Sequence, residues 1–357
     1  MKNRVLHFSL LFAAMTLLAC GGGENFFEIK NGVNISHWLS QSGQRGEARK
    51  TFFTRADVEH IAQLGYDHIR IPIDEEQMFT ENGQKEPEAF ALLHNALGWC
   101  AEFNLRAVVD LHILRSHHFN EADKPLFTDL KAQEQFYECW RQLSGELKKY
   151  SVDKIAYEPM NEPVADDPET WNVIVNRCAE VIRKMEPRRT IIIGSNRWQS
   201  FNTVKDLRLP TNDPNIIISF HYYEPFLLTH FQASWTHTKD LAVPVHYPGQ
   251  LVAEADLDAA GSHASAGRKT WNIDVMERDF LQVVEVAKKY QLKLYCGEYG
   301  CINAAPEEDK IRWYKDLYTL FERHGIARAN WDYKGGFGII RRGEPQTAMT
   351  NAILGKK

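Results

Sequence analysis

The feature that most constrains the fold is a repeated alternation of short apolar runs with longer amphipathic segments. Nearly continuous apolar runs of this kind are typical of parallel strands that are buried on both faces. The runs lie at 31–36, 67–73, 106–112, 155–157, 190–195, 215–223, 292–295 and 326–333. They predict eight strands, each of which ends in a polar or breaker-rich stretch.

Helical segments follow most of these runs. The first begins at Thr54, with Asp57 placed three residues on in a near capping box, and ends at Gly65. The others are predicted at 87–103, 130–150, 168–185, 274–289, 306–323 and 346–354. Eight strand and helix units predict an α/β fold, a single (β/α)8 TIM barrel with a long insert (224–270) after strand 6. A doubly wound open sheet is the weaker alternative, because no glycine-rich phosphate loop follows the first strand.

Two of the apolar runs lead into glutamates. Asn161-Glu162-Pro163 follows the fourth run, and Glu298 follows the seventh. Pro163 disfavours a helical backbone at Glu162, so we expect Glu162 in an extended conformation at the mouth of its strand. The carboxyl ends of barrel strands share one face, so both glutamates are expected at one cleft. A converging pair of carboxylates is what glycoside hydrolysis requires.

The N-terminal segment resembles a bacterial lipoprotein signal. Lys2 and Arg4 precede a mostly apolar stretch, 5–19, that is too short to span a membrane. The stretch ends in Leu-Leu-Ala-Cys at Cys20, a pattern in which the cysteine becomes the lipid-modified first residue. We expect a signal peptide over 1–20, a flexible tether over 21–26 and the catalytic barrel over 27–357. A plain secretory leader cleaved nearby is the alternative.

Composition and cysteine usage exclude several classes of protein. The formal net charge is −5 and no basic patch is visible, which argues against a nucleic-acid partner. Apart from Cys20, five cysteines remain without regular spacing, so they predict neither a disulfide framework nor a zinc site. Cys139 and Cys178 are expected in the core. A bridge between Cys296 and Cys301 stays open.

Several motifs fall in order at the predicted strand ends. They are His68-Ile69-Arg70-Ile71-Pro72, Asp110-Leu111-His112, Asn161-Glu162-Pro163, His221-Tyr222-Tyr223, Gly297-Glu298-Tyr299-Gly300 and Trp331. With these motifs the chain resembles glycoside hydrolase family 5, the cellulase-type branch of the (β/α)8 retaining glycosidases. The resemblance covers residues 27–354 and rests on ordered matches rather than on one short motif.

The resemblance implies roles for the residues around the two glutamates. Glu162 would be the general acid/base and Glu298 the nucleophile. Arg70 would lie beside the nucleophile, while His221 and Tyr223 would hydrogen-bond the acid/base and the nucleophile respectively. The physical chemistry agrees, because burial and the charge of Glu298 favour a protonated Glu162, whereas Arg70 and Tyr223 favour the Glu298 anion.

Further residues are expected to contact the sugar. By the resemblance, His112 would line the sugar subsite nearest the chemistry, Asn161 would hydrogen-bond the 2-hydroxyl, and Trp331 would form the floor. The tryptophans in predicted loops or strand ends are candidate sugar platforms: Trp38, Trp198, Trp235 and Trp271. The tryptophans at helical positions are expected in the core: Trp99, Trp140, Trp171 and Trp313.

Three departures from the family pattern leave the substrate open: the histidines after the third strand, the opening of the first strand at 32–38, and the 224–270 insert. His117 and His118 follow the third strand and, with Asp110 and His112, leave a metal-dependent barrel hydrolase as a rival reading. We nevertheless expect no metal and no cofactor, because the residues at that strand end already have roles. The 224–270 insert leaves the end of the sixth strand, so we expect it to wall the cleft.

The resulting expectation is a retaining glycoside hydrolase that cleaves β-linked polysaccharide, an endo-β-1,4-glucanase acting by double displacement. A β-mannanase or xyloglucanase of the same family is the alternative, and a catalytically silent carbohydrate-binding lipoprotein is the alternative from another class. The expected partners are a polysaccharide or oligosaccharide and a bacterial membrane, reached through the lipid anchor. We expect an extracytoplasmic monomer that faces the periplasm or the cell surface.

Overall fold

The eight predicted strands close into one parallel barrel. A computed structural model describes residues 27–210 and 213–356, so the predicted signal peptide, Cys20 and the tether lie outside the described residues. Strand order follows the chain around the barrel, and every neighbouring pair is parallel. The strands are β1 (Asn31–Asn34), β2 (His68–Asp74), β3 (Arg106–Ile113), β4 (Ile155–Glu158), β5 (Ile191–Gly194), β6 (Ile216–Tyr222), β7 (Lys293–Tyr299) and β8 (Ala327–Asn330). The predicted fold class is therefore confirmed.

Helices surround this barrel. The α-helices are Glu47–Phe52, Arg55–Gln63, Glu75–Met78, Pro87–Glu102, Leu130–Leu147, Pro168–Met185, Phe226–Thr229, Ala264–Gly267, Ile273–Tyr290, Glu307–His324 and Thr347–Leu354. The seven predicted helices are all present, and their ends agree to within three residues. At the first of them, the Asp57 carboxylate accepts the backbone N–H of Thr54 at 2.9 Å. Within the described ranges, no helix has both the length and the apolar character needed to cross a membrane.

The barrel interior is filled in layers, because side chains along a strand alternate between its two faces. One layer is apolar and consists of Phe27, Val108, Ala156, Ile192, Ile217, Tyr295 and Ala329. Val108 pairs with Ala156 across β3 and β4, and two residues further along Asp110 pairs with Glu158. The interior therefore changes from apolar to charged towards the carboxyl ends of the strands, where the predicted site residues lie.

The backbone at Glu162 differs from the prediction. β4 ends at Glu158, and Glu162 follows in the loop with a φ of 45°, which is left-handed rather than extended. The expectation of an extended backbone was therefore wrong. Pro163 restricts the backbone only locally, whereas Glu162 also has its N–H bonded to Gln199 and its carboxyl group bonded to His221. These tertiary contacts override the local preference.

The insert after β6 contains regular helix, and its first and later parts pack against different regions of the protein. Its first part forms the helix Phe226–Thr229, whose Phe226 ring stacks on His230 at 4.0 Å. His230 in turn contacts Tyr223 at the mouth of the barrel, with ring centroids 5.1 Å apart. The later part packs on the outer helices, where Tyr247 hydrogen-bonds Asp316 at 2.7 Å. Only the first part therefore lies where the sequence places a wall of the cleft.

The cysteines of the described residues are all buried and free: Cys100, Cys139, Cys178, Cys296 and Cys301. The core positions expected for Cys139 and Cys178 are confirmed. Cys296 and Cys301 are not bridged.

Candidate active site

Arg70 lies at the centre of the site. It projects from β2 and is fully buried, so its positive charge needs partners within the protein. Its Nε donates to Glu158 at 2.7 Å and its Nη1 donates to Glu298 at 2.7 Å. Its Nη2 lies 3.0 Å from the Asp110 carboxylate. One guanidinium therefore contacts three buried carboxyl groups, one of which is the predicted nucleophile.

The two predicted catalytic glutamates lie side by side above this arginine. His221 Nδ1 is 2.9 Å from Oε1 of Glu162 and 3.7 Å from Oε2 of Glu298. The hydroxyl of Tyr223 donates to Oε2 of Glu298 at 2.9 Å. One carboxylate oxygen of Glu162 lies within 4.8 Å of one of Glu298. Oxygens this close are expected in retaining glycosidases, whose two carboxyl groups are about 5–5.5 Å apart.

Burial and neighbouring charges act differently on the pKa values of the two glutamates. Burial raises the pKa of Glu162 well above the usual value for glutamate, and the negative charge of Glu298 raises it further. Burial also raises the pKa of Glu298, but the charge of Arg70 and the Tyr223 hydroxyl oppose that rise. Glu298 therefore ionises before Glu162 does. Burial holds the pKa of His221 well below its usual value, so this imidazole is neutral beside Glu162.

His112, Trp331 and Asn161 complete the floor of the site. His112 Nδ1 lies 2.6 Å from the Asp110 carboxylate, and its ring stacks on Trp331 at 5.6 Å with an interplanar angle of 8°. Burial lowers the pKa of His112 to about 3, so it too is neutral. Asn161 Oδ1 accepts from Arg70 at 2.8 Å, which leaves its buried Nδ2 without a partner among the described residues. That amide is a free donor at the site.

The predicted tryptophan platforms divide into two groups. Trp198 and Trp235 expose 44% and 59% of their surface, so their rings are available to a ligand. Trp38 is buried, its ring packs on Phe53 at 5.1 Å, and its Nε1 donates to a backbone carbonyl at 2.8 Å. The prediction that Trp38 is a sugar platform was therefore wrong, because no face of its ring is accessible. Trp271 is half-buried against the core.

The tryptophans expected in the core pack there, either fully or partly buried: Trp99, Trp140, Trp171 and Trp313.

The three histidines of the rival metal site do not converge. His117 Nε2 accepts the backbone N–H of Val164 at 3.3 Å, and His118 Nδ1 accepts that of Asn120 at 3.1 Å. Over the described ranges, the ligand-type side chains that gather closely are instead Glu162, His221 and Glu298. His221 accounts for that grouping, because its Nδ1 hydrogen-bonds Glu162 at 2.9 Å and lies 3.7 Å from Glu298.

Sequence reasoning did not single out three further residues of the site. Glu158 and Gln199 are fully buried and hydrogen-bond each other at 3.1 Å. Asn34 Oδ1 accepts from Arg70 at 2.9 Å and its Nδ2 donates to the carbonyl of Gly297 at 3.0 Å. A charged residue at the end of a buried strand was a usable signal for Glu158, because buried carboxylates need partners. Nothing in the local sequence points to Gln199.

A closed (β/α)8 barrel with two closely spaced glutamates at the carboxyl ends of its strands is the architecture of retaining glycosidases. Comparison with known proteins agrees with that class. A sequence model of the family described as cellulase (glycosyl hydrolase family 5) matches residues 30–336. The chain belongs to this family, and it is a glycosidase that hydrolyses O-glycosyl bonds.

Characterised relatives resemble the chain over most of their length. Endoglucanase C of Acetivibrio thermocellus is 32% identical over 317 residues, which cover 85% of this chain and 91% of that protein. Cellodextrinase A of Ruminococcus flavefaciens is 31% identical over 84% of each chain. A solved structure of a hyperthermophilic endo-β-1,4-glucanase in complex with substrate is 25% identical, with a TM-score of 0.77 over 93% of this chain and 98% of that one.

Proposed function

We propose that this protein is a retaining endo-β-1,4-glucanase in which Glu298 is the nucleophile and Glu162 is the general acid/base. The observation that carries the proposal is the pair of glutamates, Glu298 buried and Glu162 partly buried, whose oxygens lie within 4.8 Å and whose hydrogen-bond partners differ. Arg70 and Tyr223 favour the charged form of Glu298. Glu162 has neutral His221 as its partner and a raised pKa, so it holds a proton.

In the first step, Glu298 attacks the anomeric carbon while Glu162 protonates the departing glycosidic oxygen. The bond to the leaving sugar breaks as the ester bond to Glu298 forms. Asn161 is available to donate its free amide hydrogen to the sugar 2-hydroxyl, a contact that strengthens as the transition state develops. The stacked pair of His112 and Trp331 supports the reacting sugar from below.

In the second step, Glu162 changes from a general acid to a general base. The ester removes the negative charge of Glu298, so one cause of the raised pKa of Glu162 disappears. Glu162 is then a base that takes a proton from water while the water oxygen attacks the anomeric carbon. Cleavage of the ester returns Glu298 as a carboxylate, and the sugar keeps its original configuration after two inversions.

The substrate proposal rests on the relatives and on two exposed rings. Relatives named endoglucanase match the chain over most of its length, and flat aromatic rings are suited to the apolar faces of β-linked glucose. Exposed rings of this kind are supplied by Trp198, whose backbone bonds the loop of Glu162, and by Trp235 in the insert. Because another relative is named cellodextrinase, the test must separate internal cleavage of long chains from cleavage of short ones.

The test compares wild type with Glu298→Gln on soluble cellulose, mannan, xyloglucan and xylan. We expect wild type to lower the viscosity of soluble cellulose early, before many reducing ends appear, since internal cuts shorten chains fastest. Glu298→Gln should lose at least about a thousandfold in kcat, because the nucleophile is absent. Reducing ends that rise without a viscosity drop would instead indicate action at chain ends. Equal activity of both proteins would refute the nucleophile assignment.

The same assay tests the rival functions. A silent binding protein would release no sugar from any polymer, yet both wild type and Glu298→Gln would bind one of them. A metal-dependent hydrolase would lose activity in strong chelator and regain it with divalent cation. We expect unchanged activity under chelation, because proton transfer and ester formation need only the two carboxyl groups.

We also propose that the protein acts as a lipid-anchored, extracytoplasmic monomer, with Cys20 as the modified residue. The support is the Leu-Leu-Ala-Cys pattern followed by three glycines, and a candidate site built from a single chain. Cys20→Ser should abolish incorporation of labelled palmitate and release the protein from the membrane fraction. Equal membrane partitioning of both proteins would contradict the anchor, and sedimentation of the barrel domain tests the monomer.

A further inference from the structure

The segment that follows β5 has an unusual backbone. Arg197, Trp198 and Gln199 have φ values of 59°, 59° and 51°, so three consecutive residues with side chains adopt the left-handed conformation. L-amino acids visit this region rarely, because Cβ approaches the following carbonyl. Two backbone hydrogen bonds hold the turn, from Trp198 N–H to the carbonyl of Pro163 at 3.3 Å and from His221 N–H to that of Gln199 at 2.8 Å. The turn is thus tied to the loop of Glu162 and to the strand of His221.

The effect of this turn is to bury the side chain of Gln199 beneath the site. Its Nε2 donates to Glu158 at 3.1 Å, and its Oε1 accepts the backbone N–H of Glu162 at 3.2 Å. These partners fix the orientation of the amide, since a carboxylate only accepts and a backbone N–H only donates. A Cβ at Gly194 would lie 1.9 Å from Nε2, so a glycine of β5 makes room for the side chain.

Gln199 therefore joins the two halves of the site. On one side Glu158 also accepts from Arg70, and Arg70 donates to Glu298. On the other side Gln199 holds the left-handed backbone of Glu162, and through its carbonyl it holds the strand of His221. His221 is the residue that contacts the carboxyl group of Glu162. Gln199 thus holds the backbone N–H of Glu162 directly and also holds the strand of His221, the partner of its carboxyl group.

We propose that Gln199 is a positioning residue for proton transfer by Glu162. It touches no reacting atom; it sets where the Glu162 carboxyl group stands relative to the glycosidic oxygen. The inference rests on the proposed role of Glu162 as general acid/base. A proton donor must lie within hydrogen-bond reach of the leaving oxygen, so a small displacement of Glu162 selectively slows reactions that need the proton.

The experiment uses two substrates that differ in their need for an acid. Cellotetraose has a sugar leaving group that must be protonated, whereas 2,4-dinitrophenyl β-cellobioside has one that departs unaided. Gln199→Met keeps the length of the side chain and removes both hydrogen bonds. We expect kcat/KM to fall at least about tenfold on cellotetraose and less than threefold on the aryl glycoside. Azide should restore kcat on the aryl glycoside, because it replaces the water that Glu162 must activate.

Two further variants are measured beside Gln199→Met. Gln199→Leu also removes both hydrogen bonds and adds no charge beside Glu158, so it should show the same split, and it serves if Gln199→Met does not fold. Arg197→Ala is the matched control, because Arg197 is exposed in the same turn and its side chain, among the described residues, bonds only the carbonyl of Asp166 at 3.3 Å. We expect Arg197→Ala to change kcat/KM equally on both substrates, and by less than threefold.

The outcomes separate this inference from the proposed function. Equal losses on both substrates in folded Gln199 variants would overturn the positioning role and leave the role of Glu162 intact. Glu162→Gln, measured alongside, should show the largest split of all. If Glu162→Gln shows no dependence on the leaving group, the acid/base assignment itself fails, and the inference about Gln199 fails with it.

Discussion

At the scale of residues, the site is a group of buried carboxyl groups with too few positive charges. Arg70 contacts Asp110, Glu158 and Glu298 at once, and one guanidinium cannot neutralise all three. Burial accordingly raises the pKa of Asp110 to about 7 and also raises that of Glu158. The charged forms of Asp110 and Glu158 in turn contribute to the raised pKa of Glu162.

A prediction at this scale concerns the proton on Glu162. Trapping Glu298 as its ester with a 2-deoxy-2-fluoro-cellobioside removes a negative charge, so the pKa of Glu162 should fall. Carbon-13 NMR titration of labelled glutamates in the free and trapped protein measures it, with Glu162→Gln to assign the resonance. An unchanged pKa in the trapped protein would mean that the charge of Glu298 contributes nothing.

At the scale of elements, the loops after β6 and β8 meet beside the nucleophile. Trp235 from the insert lies 6.3 Å from Phe337, and Phe337 lies 6.2 Å from Tyr223, the hydrogen-bond partner of Glu298. Two ring contacts and the Tyr223 hydrogen bond thus link the exposed indole of Trp235 to Glu298. We therefore expect the insert to supply a surface for a long ligand rather than a group for the chemistry.

The corresponding prediction concerns chain length. Trp235→Ala should raise KM for soluble cellulose by about two- to tenfold, the loss expected when one aromatic contact is removed. Its kcat/KM on the dinitrophenyl cellobioside should stay within twofold, because that substrate is too short to need the platform. Leu281→Ala is the control, an exposed apolar side chain on the outer helix Ile273–Tyr290. Identical KM values for the two variants would argue against a platform at Trp235.

At the scale of the whole molecule, the site lowers the stability of the barrel. A buried carboxyl group with a raised pKa binds its proton more tightly in the folded state than in the unfolded state. Stability is therefore full below the unfolded pKa, about 4.3 for glutamate, and falls as the pH rises towards the folded pKa. The raised pKa of Glu162 therefore lowers the free energy of unfolding at neutral pH.

Glu162→Gln should therefore raise Tm at pH 7 by a few degrees. The amide keeps the shape of the side chain and, unlike the carboxyl group, does not favour the unfolded state by ionising there. The difference from wild type should shrink as the pH is lowered towards 4, where the wild-type carboxyl group is protonated in both states. Calorimetry across this range measures it. Glu308→Gln, whose side chain is 86% exposed, is the control and should leave Tm nearly unchanged. A lower Tm for Glu162→Gln at pH 7 would contradict the sign of the effect.

The sequence by itself determined the parts of this protein that depend on local pattern. Apolar runs and helical periodicity placed all eight barrel strands and seven of the helices, because a buried parallel strand and an amphipathic helix each impose their own spacing. The capping residues at Thr54 and Asp57 are similarly local. The convergence of Glu162 and Glu298 also followed, since a parallel barrel brings all carboxyl ends of its strands to one face.

Tertiary structure alone decided the features that depend on contacts between distant segments. Trp38 stands beside a strand end, yet the helix Glu47–Phe52 and Phe53 cover its ring. Glu162 adopts a left-handed backbone because Gln199, 37 residues away, accepts its N–H. The bond between Glu158 and Gln199 spans 41 residues. Local propensity cannot encode such pairings, because each exists only once the barrel has closed and has excluded water from the groups it joins.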